Sequence, residues 1–128
     1  MENKFYERFL ILFTLAVVIF TSAIAVYSLT EKEIEFVVTG NQLIGQIPLR
    51  IDALSGWMIL IINFTILTGT LYGTGYLKHY NENKANLIFH RFCLAFLHIT
   101  MLLVCTVQNF IAFLIVWELM TVSAFILV

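Results

Sequence analysis

The sequence predicts an all-α integral membrane protein of four transmembrane helices, with a short extracytoplasmic β-hairpin between the first and the second. Three observations carry that prediction. The 128 residues are 61% hydrophobic and only 12% charged, with a single proline, a composition that belongs to membrane proteins. Apolar runs recur at close to the roughly 20 helical residues that cross a hydrocarbon core about 30 Å thick. Four such spans and short connections fill the chain, so one membrane domain over residues 1–128 and no soluble domain is expected. The net charge of −1 is not clustered, which leaves no electrostatic footprint for nucleic acid.

The first span is residues 9–29, an uncharged run between Lys4 and Arg8 on one side and Glu31 and Lys32 on the other. Tyr6 and Tyr27 stand near its ends, where aromatic rings with a polar tip favour the membrane interface. Ala23-Ile24-Ala25 resembles a signal-peptide cleavage site, but the apolar run of 21 residues exceeds the roughly 7–15 of such a leader, which favours a retained helix. The β-branched stretch Ile34–Thr39, then Gly40-Asn41, then Gln42–Ile44 predicts a hairpin over 34–44 closed at Gly40-Asn41, with Gly45 and Pro48 after it. Asp52 directly precedes the second span, 53–76. It is expected to N-cap that helix by accepting the amide of Leu54 or Ser55; a direct part in transport is the other reading.

Within the second span, Trp57 and Tyr76 again occupy interfacial positions. Gly69 and Gly73, four apart in a run of small residues, predict close approach of another helix rather than a binding site. Asn63 at mid-span needs a partner, and a neighbouring helix is expected to supply it ahead of a substrate. Lys78 to Arg91 reads as a polar connection, and from Leu87 to Val128 the chain is apolar for 42 residues with few interruptions. One straight helix of that length would be about 63 Å long, twice the membrane. Gln108-Asn109 is the only strongly polar dipeptide at which to break it, giving a third span at 87–107 and a fourth at 109–128. Lys4, Arg8, Lys78, Lys84 and Arg91 fall on one side and Lys32 and Arg50 on the other. That imbalance places the N-terminus in the cytoplasm, and a bacterial inner membrane is the expected location.

The fourth span carries one charge, Glu118, nine residues after Asn109 and ten before Val128. It is therefore roughly 13 Å deep, where an ionised carboxylate costs at least about 2.5–3.5 kcal/mol. Such a group carries a proton, holds an ion or binds a cationic substrate; the bland reading is a protonated Glu118 bonded to a neighbouring helix. His98 lies ten residues before Gln108, at nearly the same depth on the adjacent antiparallel helix. A direct or water-mediated contact with Glu118 is thus geometrically open, and a pair there could hold a proton. The alternative is a neutral His98 bonded to a backbone carbonyl or hydroxyl. Cys93 and Cys105, twelve residues apart on one predicted helix, are about 18 Å apart along its axis, out of disulfide reach, and read as buried thiols. No Cys/His spacing suggests a metal site and no Gly-rich phosphate loop follows a strand, so no cofactor is expected.

Leu49-Arg-Ile-Asp-Ala-Leu-Ser-Gly56, Leu71-Tyr-Gly-Thr-Gly-Tyr-Leu77 and Asn109 through Val116-Trp-Glu-Leu-Met120 resemble the antiporter-like membrane subunits. That family comprises the proton-pumping subunits of respiratory complex I, the Mrp-type sodium/proton antiporters and the membrane arms of formate-hydrogenlyase-type hydrogenases. Trp117-Glu-Leu-Met120 and the Tyr-Gly-Thr-Gly-Tyr stretch are most similar to the hydrogenase branch. The resemblance covers roughly residues 30–128. It implies the N-terminal part of a proton-translocating subunit of a membrane-bound hydrogenase or NADH-quinone oxidoreductase complex, with Glu118 as the proton carrier and other membrane subunits as partners. Family members have many more helices, among them a later broken helix whose lysine pairs with this glutamate; the resemblance implies that the 128 residues end before that helix and do not include the family's first one. His98 is not a family position. The expectation is a split-gene product, a truncated reading frame or a fragment, the remaining helices being on a separate chain. The rival readings are a small four-helix proton-coupled transporter acting as a homodimer, and a non-functional truncated remnant. In the small multidrug-resistance proteins of the first kind the glutamate is on the first helix, whereas the first span here, residues 9–29, carries no charge.

Overall fold

Backbone N–H and C=O groups cannot stay unpaired in hydrocarbon, so apolar runs of this length settle as helices. The structure, a computed structural model, describes residues 2–76 and 84–128; Lys78 and the centre of the expected polar connection lie outside the described residues. The elements are helix α1 (Glu2–Thr30), strands β1 (Ile34–Thr39) and β2 (Gln46–Ile51), and helices α2 (Ala53–Tyr76), α3 (Lys84–Thr106) and α4 (Phe110–Leu127). All four helices are long and apolar enough to cross a membrane, as a multi-pass membrane protein requires. Helix α1 begins well before residue 9, because the apolar run marks contact with hydrocarbon and not the limits of backbone hydrogen bonding.

The hairpin is longer than its sequence suggested. β2 lies at Gln46–Ile51 and pairs antiparallel with β1, Ile34 opposite Ile51 and Thr39 opposite Gln46. Gly40-Asn41 does not close it. The carbonyl of Asn41 accepts from Ile44 N–H at 3.0 Å and Gly45 N–H at 2.8 Å, and the Gly45 carbonyl accepts from Gly40 N–H at 3.0 Å. Gly45 closes this wider turn at φ 71°, a left-handed conformation that glycine adopts without steric cost. Pro48, expected to fall beyond the hairpin, sits inside β2 opposite Val37. Its carbonyl points away from β1 and accepts Gln108 N–H at 3.0 Å. The N and O of one strand residue face the same side, so the missing Pro48 N–H removes nothing from the β1 ladder.

That bond, with a bridge between Leu49 and Val107, seats the hairpin on the α3–α4 turn. Asn109 holds both sides of the junction. Its Oδ1 caps α4 by accepting from Ile111 N–H (3.0 Å) and Ala112 N–H (3.2 Å), and its Nδ2 donates to the carbonyls of Ile44 and Gln46 at 3.1 Å. The break in the long apolar run therefore falls where the polar dipeptide placed it. Asp52 caps α2 through Ser55 N–H at 2.8 Å. That hydrogen bond is the main cause holding the Asp52 carboxyl below its ordinary value.

Helices α1, α2 and α3 pack mutually around Val18, Ile62 and Ile66, with Leu94, Met101 and Leu102 against them. Helices α1 and α2 approach closely at Gly56, where a Cβ would stand 2.6 Å from Ser28 Oγ and 3.0 Å from the Ala25 carbonyl oxygen. Gly69, one of the two glycines expected to take that role, has nothing within 4 Å of such a Cβ, whereas Gly73 is half-buried. Cys93 is buried and Cys105 half-buried, both free thiols. Helix α4 packs mainly on α3, burying only Ala112 and Ser123.

Candidate functional site

Among the described residues, the side chains expected to carry function fall in two places within the helices. The first forms where α1, α2 and α3 meet. Asn63, 2% exposed, and His98, 1% exposed, are too polar to be buried unpaired, and the neighbouring helices satisfy them. Asn63 Nδ2 donates to Ser22 Oγ (2.8 Å), Thr21 Oγ1 (2.9 Å) and the Val18 carbonyl (3.3 Å) on α1. The hydroxyl of Thr21 can accept that bond because its own hydrogen goes to the Val17 carbonyl at 2.6 Å.

With Nδ2 turned to α1, Asn63 Oδ1 faces α3 and meets His98 Nε2 at 2.9 Å. An amide oxygen only accepts, so His98 carries a hydrogen on Nε2 and donates it to Asn63. The arrangement ties three helices together through one imidazole and one amide. Asn63 thus has the helix partner expected of it. The sequence reading missed Thr21 and Ser22, whose signal was two adjacent hydroxyl residues inside the first apolar run.

The second centre is Glu118, on the exposed side of α4. Ala112, Val116, Met120 and Ser123 recur at three- and four-residue spacing and form the more covered line of this helix. At about 100° per residue, Glu118 is turned by about 120–140° from Ala112 and Ser123. His98 meanwhile points to α2. Equal depth does not bring the two together: the ion pairs among the described residues join Glu33 and Glu35 to Arg50 and Glu7 to Arg91, and none includes Glu118. Around Glu118 the same outward surface is apolar, with Leu114 and Phe125 at 40% and 81% exposure.

Asp52 is occupied by its cap. An apolar cavity of about 260 Å³ lies between α1, α2, α3 and β2, with Val17, Ile24, Ile59, Ile99 and Leu102 among its walls; the two hydroxyls that also line it, of Thr21 and Thr106, donate to backbone carbonyls of their own helices. Among the described residues, no three His, Cys, Asp or Glu side chains gather as metal ligands would. No protein-family model matches the chain, and no curated protein matches it significantly.

Proposed function

We propose that this chain is the N-terminal part of a proton-translocating, antiporter-like subunit of a membrane-bound hydrogenase or NADH-quinone oxidoreductase complex, with Glu118 as its intramembrane proton carrier and its N-terminus in the cytoplasm. The observation that supports this reading is the placement of Glu118: a lone carboxyl at mid-span, on the side of α4 turned away from the rest of the bundle. Facing lipid, an ionised Glu118 costs several kcal/mol; facing another helix that brings a cation near and then removes it, the same carboxyl takes up and releases a proton. Burial raises a carboxyl pKa and a neighbouring cation lowers it, so motion of that cation sets the direction of transfer. The partner helix comes from another membrane subunit, and redox chemistry takes place elsewhere in the complex. His98 enters only as a relay.

The test is made on membranes holding the assembled complex. Glu118→Gln is expected to lower coupled proton translocation by at least about tenfold, equivalent to about 1.4 kcal/mol, with electron transfer to an artificial acceptor retained. His98→Leu with unchanged translocation would remove His98 from the path. Translocation undiminished in Glu118→Gln would refute the proposed function. The exposed Glu118 surface also suits a second copy of this chain, as in a four-helix homodimeric transporter, and drug-dependent protection of Glu118 from carbodiimide would favour that reading.

A further inference from the structure

Side chains of a strand alternate between two faces, and residues paired directly across an antiparallel sheet share one. In the hairpin, Ile34, Phe36 and Val38 of β1 are paired with Ile51, Leu49 and Ile47 of β2, so one face is wholly apolar. Its direction is given by Ile51, which lines the apolar cavity together with Thr21 and Ile24 of α1, Ile59 of α2 and Thr106 of α3. Those four helical residues all lie within the spans long and apolar enough to cross a membrane. The apolar face of the hairpin is therefore turned toward the membrane. The opposite face carries Glu35 across from Arg50 and Thr39 across from Gln46, with Val37 and Pro48 between them. Arg50 is paired there with Glu35 at 3.7 Å and also with Glu33. Charge thus sits on one side of the sheet and hydrocarbon on the other.

Only half of that apolar face is covered. β2 is the strand that packs on α2 and α3, and Ile47, Leu49 and Ile51 are half-buried. Phe36 and Val38 share their face and yet are 63% and 49% exposed, so β1 overhangs the edge of the bundle. Trp57 and Tyr27, at this end of α2 and α1, are exposed as well, and such rings favour the membrane–water boundary. We propose that β1 docks on the lipid surface, with Phe36 and Val38 inserted among the upper parts of the acyl chains and Glu35 and Arg50 left in water. What lies beneath an overhang at the rim of a membrane-spanning bundle is the bilayer, which selects lipid over a partner above the membrane. The backbone limits the depth. Among the described residues the outer edge of β1 has no strand beside it, and unpaired N–H and C=O groups are not tolerated against lipid in the hydrocarbon core. The strand accordingly lies in the interfacial layer, its apolar side chains roughly 5–10 Å into the boundary, as in amphipathic anchors. Because β2 is joined to Val107 and Gln108, the docked hairpin also fixes the height of the α3–α4 turn.

The test places tryptophan at successive positions of β1 in the full chain, reconstituted in phosphatidylcholine vesicles, with Trp57 and Trp117 kept as a constant background. Lipid brominated near the headgroup end of its acyl chains is expected to quench the fluorescence added by Phe36→Trp and Val38→Trp at least about threefold more than that added by Val37→Trp, given an insertion of about 5–10 Å. Iodide, present on both sides of the membrane, shows the reverse order. Tryptophan itself favours the interface, so Val37→Trp on the other face is the control: a hairpin without fixed orientation would bring all three positions into lipid alike. Quenching of all three by iodide and of none by brominated lipid overturns the proposal, as does equal quenching of the three by lipid. Added fluorescence at positions 36 and 38 that is shielded from both quenchers also overturns it, and assigns the face to a second copy of this chain.

Discussion

Asparagine serves twice in this chain where one side chain must accept on one side and donate on the other. At position 109 the oxygen caps α4 while the nitrogen holds the hairpin; at position 63 the nitrogen binds α1 and the oxygen binds His98. Asn63→Leu removes both functions and strands the His98 N–H. Hydrogen bonds between membrane helices average about 0.6 kcal/mol and reach about 1.7, and an orphaned buried donor costs about 1–3 kcal/mol. The expected loss is therefore about 1–2 kcal/mol, read as a lower melting temperature of the detergent-solubilised protein. Asp52 differs in being sensitive to pH. Its carboxyl is held below the ordinary value by the Ser55 amide, so its stabilisation is fully present above the unfolded-state pKa and is lost as pH falls through the lower folded-state pKa. Asp52→Ala is accordingly expected to cost about 1 kcal/mol near neutral pH, with the gap from the unaltered protein closing in strong acid. Both residues were legible in the sequence, because a polar group at a helix start or at mid-bilayer has few physical options. Whether His98 and Glu118 face each other was not, since residue counting from a turn gives depth and leaves rotation about the helix axis free.

The same distinction separates the glycines of α2. Gly69 and Gly73 show the four-residue spacing of close-packed membrane helices, but spacing alone does not say which helix, if any, covers that side. Gly56 stands alone in the sequence and yet meets Ser28 and Ala25 at distances that leave no room for a methyl. Gly56→Ala is expected to push α1 and α2 apart and destabilise the bundle by about 1–3 kcal/mol, while Gly69→Ala, with open space around it, is neutral or stabilising by up to about 1 kcal/mol through helix propensity. Thermal unfolding of the two variants side by side reads the difference. The hairpin was found in the sequence but its second strand was misplaced. The rule applied there treats Gly-Asn as a tight turn and proline as the end of a strand, and both fail because β2 has a second neighbour: the α3–α4 junction takes the outward carbonyl of Pro48.

Three helices of this molecule enclose a shared interior, and the fourth does not join it. Helices α1 to α3 bury Asn63, His98, Thr70 and Arg91 between them, whereas α4 buries two small residues and turns Glu118 outward. Span number and the break at Asn109 could be read from hydropathy because the bilayer imposes them on any sequence. The outward direction of Glu118 follows from α4 having one principal neighbour, which only the packed chain reveals. Its consequence separates the proposed function from its rival. With a cation supplied by another subunit, the purified chain reconstituted alone in vesicles should pass protons no faster than empty vesicles, and Glu118→Gln should leave that rate unchanged. A self-sufficient homodimer would instead conduct, lose conduction in Glu118→Gln, and form a disulfide between two copies of Leu114→Cys or Phe125→Cys under mild oxidant, because those positions share the outward side of α4. Leak-level flux without that cross-link fits the subunit reading. Glu118-dependent flux from the chain alone would rule out the need for a second subunit.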